Sequence, residues 1–325
     1  MTSMFDAIRL LDGPAIAARV DMQSAIRHLQ RVLRDGFRPE QDPPRTVVDV
    51  RHGQLLLMPS DLGAHAGQKL ATVAPANPAR GLERIQAVYV VLDAETLAPT
   101  ALLDGTELTA LRTPAVSAAI ADLVAPSDAS SLVVFGTGPQ GRRHVEAMRA
   151  IRPIERVRFV GRDPHAAALA AERCAAPGLD VAVGGVSDVA DADLVVCATT
   201  AREPLFEAGL VPDRCTLVAV GSHEPDAREL PGALLGRAEV IVESERVALA
   251  EAGDVVLAIG EGNLSPDALV PMAELFATGR RGASARAGAS ARAGASARPT
   301  VIKTCGMGWQ DLAIAQLALT IEENN

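Results

Sequence analysis

Leu132-Val133-Val134-Phe135-Gly136-Thr137-Gly138-Pro139-Gln140-Gly141 is the stretch whose reading decides the fold. Four consecutive apolar residues fit a strand buried on both faces. The glycines then fall at the first, third and sixth positions of a GxGxxG pattern. Gly136 permits a tight turn, Gly138 lets the backbone approach a pyrophosphate, and Gly141 lets the next helix pack closely on the strand. Gly141–Ala150 has a helical rhythm, so the anion would rest on free N–H groups at a helix N-terminus. A bare GxGxxG is a weak signal, but the strand before it and the helix after it make this a dinucleotide site. Gly136, Gly138, Pro139, Gln140 and Gly141 are therefore candidate cofactor-binding residues.

Downstream the pattern alternates. Val157–Val160 reads as a strand and His165–Cys174 as a helix, with further apolar strands at Leu194–Ala198, Thr216–Val220, Val240–Val242 and Thr300–Cys305. Such alternation implies a doubly wound parallel sheet, the Rossmann-type α/β class. Arg162 and Asp163 stand at the end of the second strand. An acid there suits the ribose 2′-hydroxyl of NADH, whereas an arginine pairs with the 2′-phosphate of NADPH. Arg162 comes first, which favours NADPH over NADH. Residues 282–298 are different: the hexad Gly-Ala-Ser-Ala-Arg-Ala starts at Gly282 and Gly288 and recurs nearly complete at Gly294. It has nothing large to bury and reads as a solvated loop.

Upstream lies a second kind of architecture. Gly13–Phe37 reads as a helix. Strands follow at Thr46–Val50, Gln54–Met58, Gln68–Val73, Ile85–Leu92 and Thr100–Leu103, a mostly antiparallel block. Thr106–Val124 reads as a helix despite Pro114, which suits a first turn or a kink. Trp309–Ile321 reads as an amphipathic closing helix.

The 325 residues suggest two domains. A formal net charge of -9 argues against nucleic acid as the main partner. No apolar run approaches a membrane span, and the N-terminus lacks a signal-peptide pattern. The four cysteines show no metal spacing, and no metal site is expected; reduced thiols in a cytoplasmic protein are the simplest reading. Of the 31 lysines and arginines, only Lys69 and Lys303 are lysines. A lysine kept where arginine is the rule can do what arginine cannot, which is to lose its proton or to offer a compact ammonium to a ligand.

Several segments resemble the ornithine cyclodeaminase/mu-crystallin family. They are Gln68-Lys69-Leu70 with Asn77–Leu82, the signature Leu102-Leu103-Asp104-Gly105-Thr106-Glu107-Leu108-Thr109-Ala110-Leu111-Arg112-Thr113, the glycine turn, Gly221–Leu230, and Lys303-Thr304-Cys305-Gly306-Met307-Gly308-Trp309-Gln310-Asp311-Leu312-Ala313. The resemblance covers nearly the whole chain except the hexads. It implies a substrate and dimerisation domain of α+β type at residues 1–115 plus 308–325, and a nucleotide domain at 116–307. It implies a homodimer, with Lys69 facing an imino or amino acid substrate. Arg45 and Arg112 would lie by the substrate carboxylate, which a guanidinium fork suits. Arg112, Thr113, Thr199, Ser222, His223 and Lys303 would lie by the cofactor.

The resemblance leaves three activities. Cyclodeaminases of the family look like Gly-Gly-Asp-Cys-Pro-Gly-Lys where this chain has Gly221-Ser222-His223-Glu224-Pro225-Asp226-Ala227. His223 is a poorer partner for a substrate ammonium than aspartate, although it still exchanges protons near neutrality. The Gly-Ser-His form resembles the ketimine reductase branch. The expectation is therefore reduction of Δ1-pyrroline-2-carboxylate or Δ1-piperideine-2-carboxylate to L-proline or L-pipecolate, with Lys69 and His223 as catalytic candidates. The alternatives are ornithine cyclodeaminase or an amino-acid dehydrogenase, and a crystallin-like protein that binds without catalysis.

Overall fold

The computed structural model describes residues 7–279 and 298–320. The hexads therefore lie outside the described residues, apart from Arg298. The chain divides into two compact units. One runs to Thr113 and resumes at Gly306; the other is Pro114–Cys305.

The first unit is built on a six-stranded sheet. In chain order its strands are β1 (Arg9–Leu11), β2 (Thr46–Val50), β3 (Gly53–Asp61), β4 (His65–Val73), β5 (Ile85–Asp93) and β6 (Pro99–Asp104). They lie in the order β1-β6-β5-β4-β3-β2, antiparallel except for β1 on β6. The sheet has two unlike faces. Met58, Lys69 and Tyr89 pair across β3, β4 and β5 and are all buried. Against β3 and β4 packs α10 (Gly308–Thr320), which also meets α2 (Met22–Arg34). Val48, Leu70 and Val88 occupy the opposite face and are exposed.

Gly13–Phe37 is two helices rather than one. Between α1 (Gly13–Arg19) and α2, the Asp21 carboxylate accepts a hydrogen bond from the Ser24 N–H at 2.6 Å and starts α2 afresh. Nor is α10 amphipathic: Trp309 through Ala315 are all buried, so the helix lies in the interior with almost every side covered. Pro114 sits inside α3 (Gly105–Val124), not in its first turn.

The second unit carries eight parallel strands in the order β13-β12-β14-β11-β10-β7-β8-β9. β7 is Ser131–Phe135, β8 Arg156–Val160, β9 Asp180–Val183, β10 Leu194–Cys197, β11 Thr216–Ala219, β12 Glu239–Val242, β13 Leu269–Pro271 and β14 Thr300–Lys303. The longer helices α4 (Pro139–Ile151) and α5 (Pro164–Arg173) follow β7 and β8. The shorter ones are α6 (Gly232–Arg237), α7 (Glu245–Glu251), α8 (Gly253–Gly260) and α9 (Met272–Thr278). Every residue of β7, β10, β11, β12 and β14 is buried, as a sheet covered on both faces requires. The chain builds β7, β8 and β9 outward and then returns to place β10 on the other side of β7. That reversal is the switch point where open α/β sheets take their ligands. Among the described residues no helix is long and apolar enough to cross a membrane.

Candidate active site

The glycine turn follows β7 at this switch point. Gly136 has φ 109°, in the left-handed region, and a Cβ on it would strike the carbonyl of Ala198 at the end of β10. A Cβ on Gly141 would strike the carbonyl of Gly136. Both positions are thus closed to any side chain by backbone. Gly138 is the opposite case: a Cβ there meets nothing within 4 Å. Gly138 also caps α4 without any side-chain hydrogen bond to the first turn. An open approach to bare helix N–H groups is what a pyrophosphate needs. Pro139 is exposed and Gln140 half-buried beside it.

At the end of β8, Asp163 turns its carboxylate back on the chain, accepting from the His165 N–H at 2.9 Å to cap α5. Arg162 is exposed. Farther along the sheet, Thr199 and Gly221 follow β10 and β11. Both are tied to the Glu229 carboxylate: the Thr199 N–H and hydroxyl each donate at 2.7 Å, and the Gly221 N–H at 2.8 Å. Ser222 is buried and its hydroxyl donates to the Ala227 carbonyl. His223 is exposed on the loop that follows. Lys303 ends β14 with its ammonium enclosed, donating to the Ser222 carbonyl at 2.5 Å and paired with Asp254 at 3.1 Å.

The first unit gathers a different chemistry. Lys69 points from the covered face of β4 and is 2% exposed. Its Nζ lies 2.7 Å from Asp311 Oδ2 and donates to the Thr109 hydroxyl at 3.3 Å. Asp311, also buried, turns Oδ1 toward Arg112 Nε at 3.5 Å. Arg112 Nη1 donates to Gln310 Oε1 at 2.9 Å. The guanidinium lies where a Cβ on Gly306 would have to go, and Gly306 has φ 83°. Two buried cations thus share one carboxylate. Burial pushes Lys69 down to about 8, helped by the Arg112 charge and, less, by Arg45, with Asp311 opposing. Tyr89, directly across from Lys69, has a hydroxyl that burial and the charges of Asp311 and Asp42 hold well above the usual phenol range. Such a lysine is charged at neutral pH yet able to give up its proton, as a general acid must.

Of the residues expected at the site, Lys69, Arg112 and Arg45 share one electrostatic environment in the first unit. The glycine turn, Arg162, Thr199, Ser222 and His223 lie in the second unit at the carboxyl ends of the strands. Thr113 is half-buried at the last position of the first unit's N-terminal stretch. Asp311, Gln310, Glu229 and Asp254 were not singled out from the sequence. Asp311 had a signal there: an acid amid Trp309, Leu312, Ala313 and Ile314, where a surface helix would not place so many apolar neighbours.

A model of the ornithine cyclodeaminase/mu-crystallin family matches residues 15–320. A Δ1-pyrroline-2-carboxylate reductase of Bacillus cereus is 31% identical over 309 residues, covering 91% of this chain and 91% of its own. An alanine dehydrogenase of Archaeoglobus fulgidus is 25% identical over 310 residues, covering 95% and 93%. Among solved structures, the Thermococcus litoralis Δ1-pyrroline-2-carboxylate reductase in complex with NADH and L-proline superposes with a TM-score of 0.87 at 27% identity, covering 96% of each chain.

The lysine geometry makes a direct prediction. With two lysines in the chain, 15N-lysine labelling yields two side-chain Nζ signals to follow by pH titration. The Lys69 signal should titrate near pH 8. In Asp311→Asn it should titrate at lower pH, because the carboxylate that favours the ammonium is gone. An unchanged or upward midpoint contradicts the arrangement.

Proposed function

The chain belongs to the ornithine cyclodeaminase/mu-crystallin family, and from that premise we propose that it reduces cyclic ketimine acids, Δ1-pyrroline-2-carboxylate or Δ1-piperideine-2-carboxylate, to L-proline or L-pipecolate with a nicotinamide cofactor. The observation that carries this reading is the enclosed Lys69, charged at neutrality and sharing Asp311 with Arg112. The glycine turn fits the cofactor, with Gly138 open to solvent and the α4 N–H groups uncapped by side chains. A bound nicotinamide supplies the hydride. The protein's own residues do the rest. Arg112, with Arg45, holds the substrate carboxylate; Nε of Arg112 faces Asp311 and Nη1 donates to Gln310, which fixes the plane of the guanidinium. Lys69 Nζ gives its proton to the imine nitrogen, with Asp311 holding the ammonium in place.

Charge favours this over ring closure of a diamino acid. Two cations sharing one carboxylate suit a substrate that brings net negative charge. Ornithine brings two ammonium groups and one carboxylate. A second reading stays in view because of the alanine dehydrogenase relative: an open-chain imine formed from a 2-oxo acid and ammonia presents the same carboxylate and nitrogen.

The deciding assay measures NAD(P)H oxidation with each cyclic imine and with pyruvate plus ammonium, alongside ammonia release from ornithine. Turnover should be greatest with a cyclic imine. The rate should fall as pH rises through about 8, because Lys69 acts in its protonated form and loses that proton there. Lys69→Arg should bind cofactor normally yet lose at least about a hundredfold in kcat, since arginine keeps the charge but not the exchangeable proton. Near-native kcat in that variant would remove Lys69 from proton transfer.

Within this reading NADPH is preferred. Asp163 is occupied in capping α5, while Arg162 is exposed and takes no protein partner among the described residues. Arg162→Ala should raise the Kd of NADPH more than that of NADH in a direct titration. Equal losses would count against a 2′-phosphate contact.

The protein also pairs with a second copy through the first unit. Val48, Leu70 and Val88 lie on one open sheet face, and all five residues of edge strand β2 are exposed. An exposed edge bearing Val47, Val48 and Val50 invites pairing. Light scattering should report a dimer, and Val48→Arg with Val88→Arg should yield the mass of one chain. A double variant that remains dimeric would place the interface elsewhere.

A further inference from the structure

The second unit contains a buried set of charges that hydride chemistry does not itself require. Glu229, Asp254 and Lys303 are each at most 1% exposed. Glu229 binds the chain just after β10 through Thr199 and just after β11 through Gly221. A Cβ on Gly221 would strike the Thr199 carbonyl, so these two segments press together at the ends of adjacent parallel strands. Asp254, in the first turn of α8, accepts from the Glu229 and Leu230 N–H groups at 2.8 Å each. Its other oxygen faces Lys303, whose ammonium also holds the Ser222 carbonyl.

The loop from Gly221 to Leu230 is therefore gripped at both ends from inside, while His223 through Asp226 stay exposed. Outside, Arg202 pairs with Glu224 at 2.7 Å and Asp226 at 2.5 Å. Burying three charges is costly, and replacing such groups by apolar ones is often neutral or stabilising. Their arrangement is better explained by what it fixes. Burial draws Lys303 down, yet Asp254, Cys305 and Glu229 hold it above the usual lysine range, so its ammonium persists.

We propose that Glu229, Asp254 and Lys303 act as positioning residues that fix Thr199, Ser222 and His223 for the nicotinamide end of the cofactor. This rests on the dinucleotide reading above. The glycine turn after β7 takes the pyrophosphate. The segments after β10 and β11 lie along the same carboxyl edge of the sheet, where the far half of a dinucleotide extends. The clamp then acts on one end of the ligand and leaves the other untouched.

Calorimetric titration with a whole cofactor and with its nicotinamide-free fragment separates the two ends. The ligands are NADPH against 2′-phospho-ADP-ribose, and NADH against ADP-ribose. Asp254→Asn keeps an oxygen for the Glu229 and Leu230 N–H groups but loses the charge on Lys303. Glu229→Gln keeps the size but sets an amide NH2 against a backbone N–H. Each should weaken the whole cofactor about tenfold, as expected for a lost charged hydrogen bond, and each fragment less than twofold. Equal weakening of cofactor and fragment would mean the network supports the fold alone, and no weakening of either would mean it positions nothing; both outcomes overturn the proposal. A wild-type protein that binds fragment and cofactor equally well overturns it too. If the wild type binds none of the four ligands, the dinucleotide reading itself falls and carries the clamp with it.

Discussion

Lys69 and Asp311 meet at 2.7 Å, one on a strand and the other on the closing helix, with neither in reach of bulk water. Removing one partner of such a pair strands the other as a lone buried charge, at a cost of about 3–5 kcal/mol. The first unit is organised around avoiding that outcome. The closing helix must sit with Asp311 over β4, and Gly308 allows it, since a Cβ there would come 2.6 Å from the Pro59 carbonyl of β3. Asp42 holds the start of the same helix by accepting from the Trp309 N–H at 3.1 Å and from the Ser60 hydroxyl at 2.7 Å. Packing and chemistry are one constraint here: what seats the helix also sets the lysine.

The second unit meets a different constraint, backbone against backbone. Gly136, Gly141 and Gly221 each stand where a Cβ would hit a neighbouring carbonyl. Close approach lets the loops after β7, β10 and β11 crowd along one edge of the sheet. The Glu229 carboxylate then satisfies the donors that crowding would leave unpaired.

The parts of this architecture legible in the sequence are those with long patterns. β2 to β6 and the strands around the glycine turn were readable from alternation and from continuous apolar runs. β1 and β13, at three residues each, and β9, at four, are too short to show a period. The break between α1 and α2 is hidden because the apolar rhythm passes across it, although Asp21 before Met22-Gln23-Ser24 is a readable cap. The closing helix seemed two-faced because only some of its positions are large and apolar; alanines at 313, 315 and 318 are buried as well. Lys69 stood out by its rarity and Arg112 by its motif. Asp311 is 242 residues from Lys69 in the chain, and no local pattern links them. Nothing local in the sequence marks Glu229 and Asp254 as buried, because burial of a charge depends on partners that only the folded chain brings near.

The preference for arginine has a chemical consequence beyond the active site. Both lysines are sealed in the interior, at 2% and 1% exposure. Apart from its α-amino group, the folded protein offers no primary amine to acyl donors, reducing sugars or amine-directed crosslinkers. Its cationic surface is made of guanidinium groups, which stay charged where an amine would be acylated or glycated. A protein that keeps both of its side-chain amines enclosed is thereby shielded from the commonest covalent damage to such groups.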